Sequence, residues 1–228
     1  MSSAPFHAGL LLFPDITQLD MTGPYEVFTR LPGARVDVIW KSRDPVRSDH
    51  GLALVPTATF EEIDALDLVC VPGGPGVGPL LEDAATLAFL RRIAARARYV
   101  TSVCTGALVL GAAGLLQGRR ATTHWMSLEL LAPFGATPVA ERVVRDGNVI
   151  TGGGVTAGID FALTVAAEVA GRDTAERIQL AIEYDPAPPF RAGSPACADP
   201  ELVARVRAAA GTRQRERAAL VARAAAAL

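Results

Sequence analysis

The chain has 228 residues, half of them hydrophobic, and 22 Lys and Arg stand against 24 Asp and Glu for a formal net charge of −2. That size suits one α/β domain with a large core, and the near-neutral balance gives no electrostatic basis for binding nucleic acid or an anionic membrane. Three cysteines, an odd number without metal-ligand spacing, argue against a disulfide framework and for a reducing, cytoplasmic setting.

The N-terminal MSSAPFHAGLLLFPD lacks a basic region and its apolar run stops at Pro14, so neither a signal peptide nor a membrane span is expected. Phe6–Phe13 reads as a first buried strand, and the loop DITQLD carries Asp20. Thr22 then suits an N-cap, with Pro24 in the first turn of a helix running to about Leu31. Arg35–Lys41 alternates as a second strand, and Val46–Thr57 reads as a peripheral hairpin turning at Asp49-His50-Gly51. Leu66–Val71 is a further buried strand that stops at Pro72-Gly73-Gly74-Pro75-Gly76, where backbone can approach a ligand closely. Cys70, inside that strand, reads as a packing residue. Asp83–Arg98 has the pattern of an amphipathic helix.

Tyr99–Gly118 is the most informative stretch. A β-branched apolar run passes into an Ala-, Leu- and Gly-rich run with helical spacing, and Cys104 sits at the join. A strand entering a helix without a loop forces a tight turn that holds the joining side chain out over the carboxyl edge of the sheet. The unpaired amides of Thr105, Gly106 and Ala107 and the helix dipole would favour a thiolate there. Beyond it come a short strand at Arg120–Thr123, a helix from Trp125 to about Leu131, and a hairpin of Val139–Arg145 and Val149–Thr151 turning at Asp146-Gly147-Asn148. Helices follow at Thr156–Ala170, after a cluster of three glycines that includes Gly153, and at Asp173–Tyr184. The expected organisation is a single α/β domain over 1–228: a core of about 6–184, a proline-rich loop 185–200 holding Cys197, and an Ala- and Arg-rich helical extension 201–228.

Alternating strands and helices imply a mostly parallel sheet covered on both faces, and ligands of such sheets bind outside the carboxyl ends of the strands. Asp20, the PGG loop and Cys104 all fall on that edge. A cysteine nucleophile needs a proton-handling group and donors for developing charge. Asp20 suits the first role, because burial and like charge beside a thiolate would raise its pKa; Glu26 is the rival carboxylate, and a loop-closing aspartate the plainer reading. The amides near Gly73 and Gly74, with that of Thr105, suit the second, although a PGG cluster also makes an ordinary tight turn. His124, the only histidine in the second half of the chain, could support Cys104 or serve structure alone.

The PGG loop, SVCTGALVLGAAGLLQGRRATTHW and GGGVTAGIDFAL resemble the ThiJ/PfpI superfamily, of class I amidotransferase-like fold, over about Phe6–Tyr184. LDMTGP, VCTGALVLGAAGLL, ATTHW and EYDPAPPFRAGSP are similar to its isocyanide hydratase branch. The resemblance implies a flavodoxin-like sandwich and a homodimer without metal or organic cofactor. It also implies Cys104 as nucleophile, Asp20 as its carboxylate partner with Thr105 adjacent, and Gly74 as an amide donor. An isocyanide substrate and water would react in a narrow hydrophobic pocket walled by Val155 and nearby residues such as Gly153. Two other functions occur on similar sequences: the ligand-sensing domain of AraC-type regulators, and glyoxalase- or deglycase-like enzymes. A redox sensor built on the same cysteine is a further one. The arginines after Pro200 lack a helix-turn-helix pattern and read as a solvated helix face serving structure or dimer contacts.

Overall fold

The computed structural model describes residues 5–228. In chain order the strands are β1 (His7–Leu11), β2 (Arg35–Trp40), β3 (Val46–Arg47), β4 (Ala53–Leu54), β5 (Ala58–Thr59), β6 (Leu68–Val71), β7 (Tyr99–Val103), β8 (Arg120–Ala121), β9 (Thr137–Pro138), β10 (Val143–Asp146) and β11 (Val149–Gly152). The helices are α1 (Gln18–Phe28), α2 (Val77–Leu80), α3 (Ala84–Ala94), α4 (Gly106–Ala112), α5 (Ala157–Ala170), α6 (Arg172–Ala181), α7 (Pro200–Ala209) and α8 (Gly211–Ala226), with a 3₁₀-helix at Trp125–Phe134.

Seven strands form one sheet in the order β10–β11–β7–β6–β1–β2–β5. All neighbours are parallel except the β10–β11 hairpin at the edge. The helices α1 and α5 pack together along one face, and α3 and α4 lie on the other, which is the α/β sandwich expected of flavodoxin-like folds. β1, β6 and β7 are buried almost throughout, as central parallel strands covered on both faces must be. They are also adjacent in the sheet. The loop into α1, the PGG loop and Cys104 follow them respectively, so sheet order alone brings these three segments side by side.

The short elements β5, α2 and β9 lie where the sequence pattern shows none, and two of the expected helices differ in start or type. Helix α1 starts at Gln18, so Asp20 lies in its first turn and Pro24 in its interior. The chain turns at Asp15, whose φ is +58°, and the Thr17 amide is tied to the Gly73 carbonyl at 3.0 Å, which lets the helix begin a turn early. Thr22 therefore caps nothing; its Oγ1 donates to Gln18 Oε1 at 2.8 Å. The segment after His124 is a 3₁₀-helix rather than an α-helix and runs on to Phe134. Its first amide bond already closes three residues back, from Ser127 to His124, and at its far end the Phe134 ring packs over Gly111 of α4.

Gly106 explains how α4 can start directly after Cys104. A β-carbon there would overlap the Val71 carbonyl oxygen and lie 2.6 Å from that of Pro72, so the helix start is seated on the end of β6. Because both obstacles are backbone, they cannot rotate away. Gly106→Ala should destabilise the protein by roughly 2 kcal/mol or more, read as a lowered denaturant midpoint; a midpoint within error of wild type would contradict this packing.

Candidate active site

Cys104 has a φ of +55°, the left-handed region that costs a residue with a β-carbon about 1–2 kcal/mol. Backbone bonds hold it there. Its amide donates to the carbonyls of Gly152 and Gly153 at 3.0 and 2.8 Å, and its carbonyl accepts from Thr123 Oγ1 at 2.6 Å. The strand-to-helix turn read from the sequence is thus present, with the side chain directed to the carboxyl edge of the sheet and the amides of Thr105 and Val155 facing the sulfur.

The electrostatics are not those expected of a simple helix-start thiolate. The amides do lower the Cys104 pKa, but burial outweighs them and the nearby Asp20 charge adds to it, so the thiol is pushed well above its ordinary value. Asp20 is fully buried. Desolvation raises its pKa to about 7, against a lowering by the thiol and by the Gly73 amide. The two groups therefore titrate as a pair. Near neutrality the pair holds a protonated thiol beside a carboxyl group poised to gain or lose a proton.

Gly73 and Gly74 are differently employed from the expected pair of free amide donors. The Gly73 amide donates to Asp20 Oδ2 at 3.0 Å, and the Gly74 amide to Thr105 Oγ1 at 3.0 Å. Both are committed to positioning side chains, and the amides aimed at the sulfur are those of Thr105 and Val155. A β-carbon at Gly73 would lie 2.7 Å from Thr105 Oγ1 and 2.8 Å from Asp20 Oδ2, so the loop can approach both only as glycine. Asp20 Oδ1 meets no partner with hydrogen-bond geometry among the described residues, although the thiol lies against the carboxyl.

A cavity of about 210 Å³ opens above the sulfur, lined by Cys104, Thr105, Gly74, Val155, His124 and others. Gly153 is not in its wall; it serves through its carbonyl, beneath Cys104. His124 Nδ1 accepts from the Met126 amide at 3.3 Å, and burial, with Arg217 and Arg213, lowers its pKa and keeps the ring neutral. Glu26 is on the outer surface, paired with Arg30 at 2.6 Å. Among the described residues, no group of three His, Cys, Asp or Glu is arranged to hold a metal ion.

The cavity wall is mixed, with Val155, Met126 and Pro75 beside several polar side chains. Thr17 and Asp49 enter from the loop before α1 and from the β3–β4 turn, and Arg213, Gln214 and Arg217 enter from α8. None of these five was identified from the sequence. The four-residue spacing of Arg213 and Arg217 places them on one helix face, but nothing local shows that this face returns to the sheet edge. It does so because Val221 and Ala224 are buried and Arg223 pairs with Glu82 at 2.8 Å.

The raised pKa of Asp20 has a stability consequence. A carboxyl whose folded pKa lies above its unfolded value stabilises the fold fully at low pH, and that contribution is lost as pH rises from about 4 through 7. Asp20→Asn should therefore gain stability relative to wild type across that window, by up to a few kcal/mol, and the gap should level off above it. Denaturation midpoints at pH 4, 6 and 8 measure this, and a constant gap would refute it. The thiols should also rank in an order the sequence did not suggest. Cys197 is exposed, with its pKa lowered by hydrogen bonds from Ser194, whereas burial pushes Cys70 up to about 12. Iodoacetamide at neutral pH should label Cys197 before Cys104, as peptide mass spectrometry would show; faster labelling of Cys104 would mean that its thiolate is populated at rest.

Comparison with known proteins places the chain. Residues 7–168 match the model of the DJ-1/PfpI family. An isonitrile hydratase from Pseudomonas putida is 59% identical over 220 residues, covering 96% of each chain. The crystal structure of a ThiJ/PfpI family protein from Pseudomonas syringae superposes with a TM-score of 0.93 at 46% identity, covering 95% of this chain and 90% of that one. A cysteine-to-alanine mutant of a DJ-1 superfamily protein from Salmonella typhimurium gives a TM-score of 0.72 at 29% identity, covering 79% of this chain and 99% of that one. With seven parallel and antiparallel strands in the same sandwich and a family match over most of its length, the chain belongs to the DJ-1/PfpI family.

Proposed function

We propose that the protein is an isocyanide hydratase, adding water to R–N≡C to give an N-substituted formamide. Its similarity to the Pseudomonas putida enzyme over nearly the whole of both chains supports the substrate class. The observation that carries the chemistry is the buried Asp20–Cys104 pair, with Asp20 at about 7 and the thiol held beside it. A reaction that must move one proton to carbon and then recover another from water needs a group of that pKa near neutrality.

In the first half-reaction Asp20 takes the thiol proton as Sγ bonds to the terminal isocyanide carbon, and returns it to that same carbon. The sum is addition of S–H across the carbon, giving a thioimidate, R–N=CH–S. Water then adds to the thioimidate carbon with the Asp20 carboxylate accepting its proton and passing it to the nitrogen, which leaves Asp20 ionised for the next step. The resulting tetrahedral adduct loses its hydroxyl proton, the C–S bond breaks, and the sulfur regains a proton through Asp20. R–NH–CHO leaves and the starting thiol is restored, so neither an oxidant nor a reductant is needed. The amides of Thr105 and Val155 stabilise negative charge on sulfur in both halves. Thr105 Oγ1 and the Gly73 amide hold the loop and the carboxyl in place, and Val155 and Met126 supply apolar wall.

The same reading takes the protein as one α/β domain acting as a cytoplasmic homodimer. Exposed Leu180 and Phe190 support an apolar contact between copies; no helix of the described residues is long and apolar enough to cross a membrane.

Purified protein incubated with a simple alkyl isocyanide should form the matching formamide, detected by mass spectrometry. Cys104→Ala should abolish it. Asp20→Asn keeps a hydrogen-bonding group but cannot shuttle a proton, and should slow turnover by about 10²–10⁴-fold. Asp20→Glu, displaced by one methylene, should also be severely slowed. Turnover by Asp20→Asn within a few-fold of wild type would remove the carboxyl from the mechanism, and no formamide from wild type would remove the function.

A further inference from the structure

The cavity over Cys104 is lined by a guanidinium, that of Arg217, which pairs with no carboxylate among the described residues. Arg217 is only 8% exposed, yet among the described residues its one hydrogen bond is from Nη1 to Ser127 Oγ at 3.2 Å. A guanidinium has five N–H donors and no acceptor, and because no Arg217 nitrogen is both buried and without a partner, its remaining N–H groups open on the cavity. Among the described residues no carboxylate lies within ion-pair distance of Arg217 or of Arg213, which lines the same cavity. Several other arginines do pair with carboxylates, as Arg142 does with Asp160 and Arg223 with Glu82.

The cluster is also repulsive within itself. Burial works against the charge on Arg217, a charge on Cys104 would favour it, and Arg213 opposes it; both arginines, after burial, lower the His124 pKa. Three groups with positive tendency thus face one small space. Two carboxyl groups border the same space without pairing with either arginine: Asp49, which lines the cavity and accepts from Thr17 Oγ1 at 2.9 Å, and Asp20, which accepts from the Gly73 amide at 3.0 Å. Gln214, between the arginines on α8, adds an amide to the same wall.

We infer that this cavity selects isocyanides bearing a carboxylate, which seats on Arg217 and Arg213 while the isocyanide carbon reaches Cys104. A planar carboxylate matches the fork of an arginine with two parallel bonds, and a cavity of about 210 Å³ suits a small isocyano acid. The N–H groups of Arg217 that lack a partner gain one, and the ligand is oriented with its reactive end towards the sulfur. The inference uses the hydratase reading only for the reactive end of the ligand; the anion site itself is tested without turnover.

Calorimetric binding of N-formylglycine, a product-like carboxylate, is compared with that of its uncharged methyl ester. The acid should bind about 10–100-fold more tightly, the range of a charge-assisted hydrogen-bonded pair. Arg217→Met should bring the acid-to-ester ratio close to 1. Arg213→Gln, at an exposed position where folding is not at stake, should lower the ratio several-fold. In turnover, isocyanoacetate should exceed methyl isocyanoacetate in kcat/KM by a similar factor, chiefly through KM. Equal binding of acid and ester by wild type, or a preference that survives both substitutions, overturns the carboxylate site. A preference in binding without formamide from either isocyanide keeps the site and removes the hydratase reading instead.

Discussion

The conformation of a single residue organises this protein. Cys104 sits at a left-handed φ of +55°, an arrangement that would relax unless its neighbours fixed it. Two carbonyls of the glycine cluster at the end of β11 accept from its amide, and the Thr123 hydroxyl donates to its carbonyl. Each support comes from a different part of the chain, so the strain is held by the assembled sheet rather than by local sequence. Gly106 is the complementary requirement, since only a residue without a β-carbon lets α4 begin against the end of β6. With the turn in place, the sulfur stands over the carboxyl edge beside the strands that deliver the PGG loop and Asp20.

Burial, more than the helix dipole, sets the chemistry of that sulfur. A few backbone amides cannot compensate a thiolate for the loss of water when a carboxylate shares its cavity, and both pKa values rise. The outcome suits a reaction that consumes and regenerates protons in turn. A thiolate fully formed at rest would have given its proton to bulk water, whereas a thiol and carboxylate in contact keep it at the site. The loop glycines fit the same purpose, their amides spent on fixing Asp20 and Thr105 in position.

The C-terminal helix changes what this site can recognise. Helix α8 lies against the 3₁₀-helix and α4, and its inward residues close the cavity with two arginines and a glutamine. Charge that reads as a solvated helix face in the sequence is, for Arg217, buried beside the reactive sulfur. The arginine side chain is long enough to put its stem in the packing and its head in the cavity. The sandwich supplies the chemistry, and the appended helix supplies the polar wall that orients a ligand.

Hydrophobic periodicity and punctuation in the sequence determined most of the strands, their parallel order as a class, and the reactive turn at Cys104, because these are local preferences repeated over several residues. The DMTGP, CTGALVLGAAG and GGGVTAG segments were enough to relate the chain to a family. Local pattern misplaced the start of α1, since Pro24 looked like a first-turn proline and the contact that moves the helix, Thr17 to Gly73, spans more than fifty residues. The same holds for the functional detail. Which amides face the sulfur, why Asp20 holds its proton to about 7, and that Arg213 and Arg217 line the cavity all depend on burial and on groups far apart in sequence. Tertiary structure alone decides these, because desolvation and charge proximity are properties of assembled surroundings and leave no mark on the residues that will experience them.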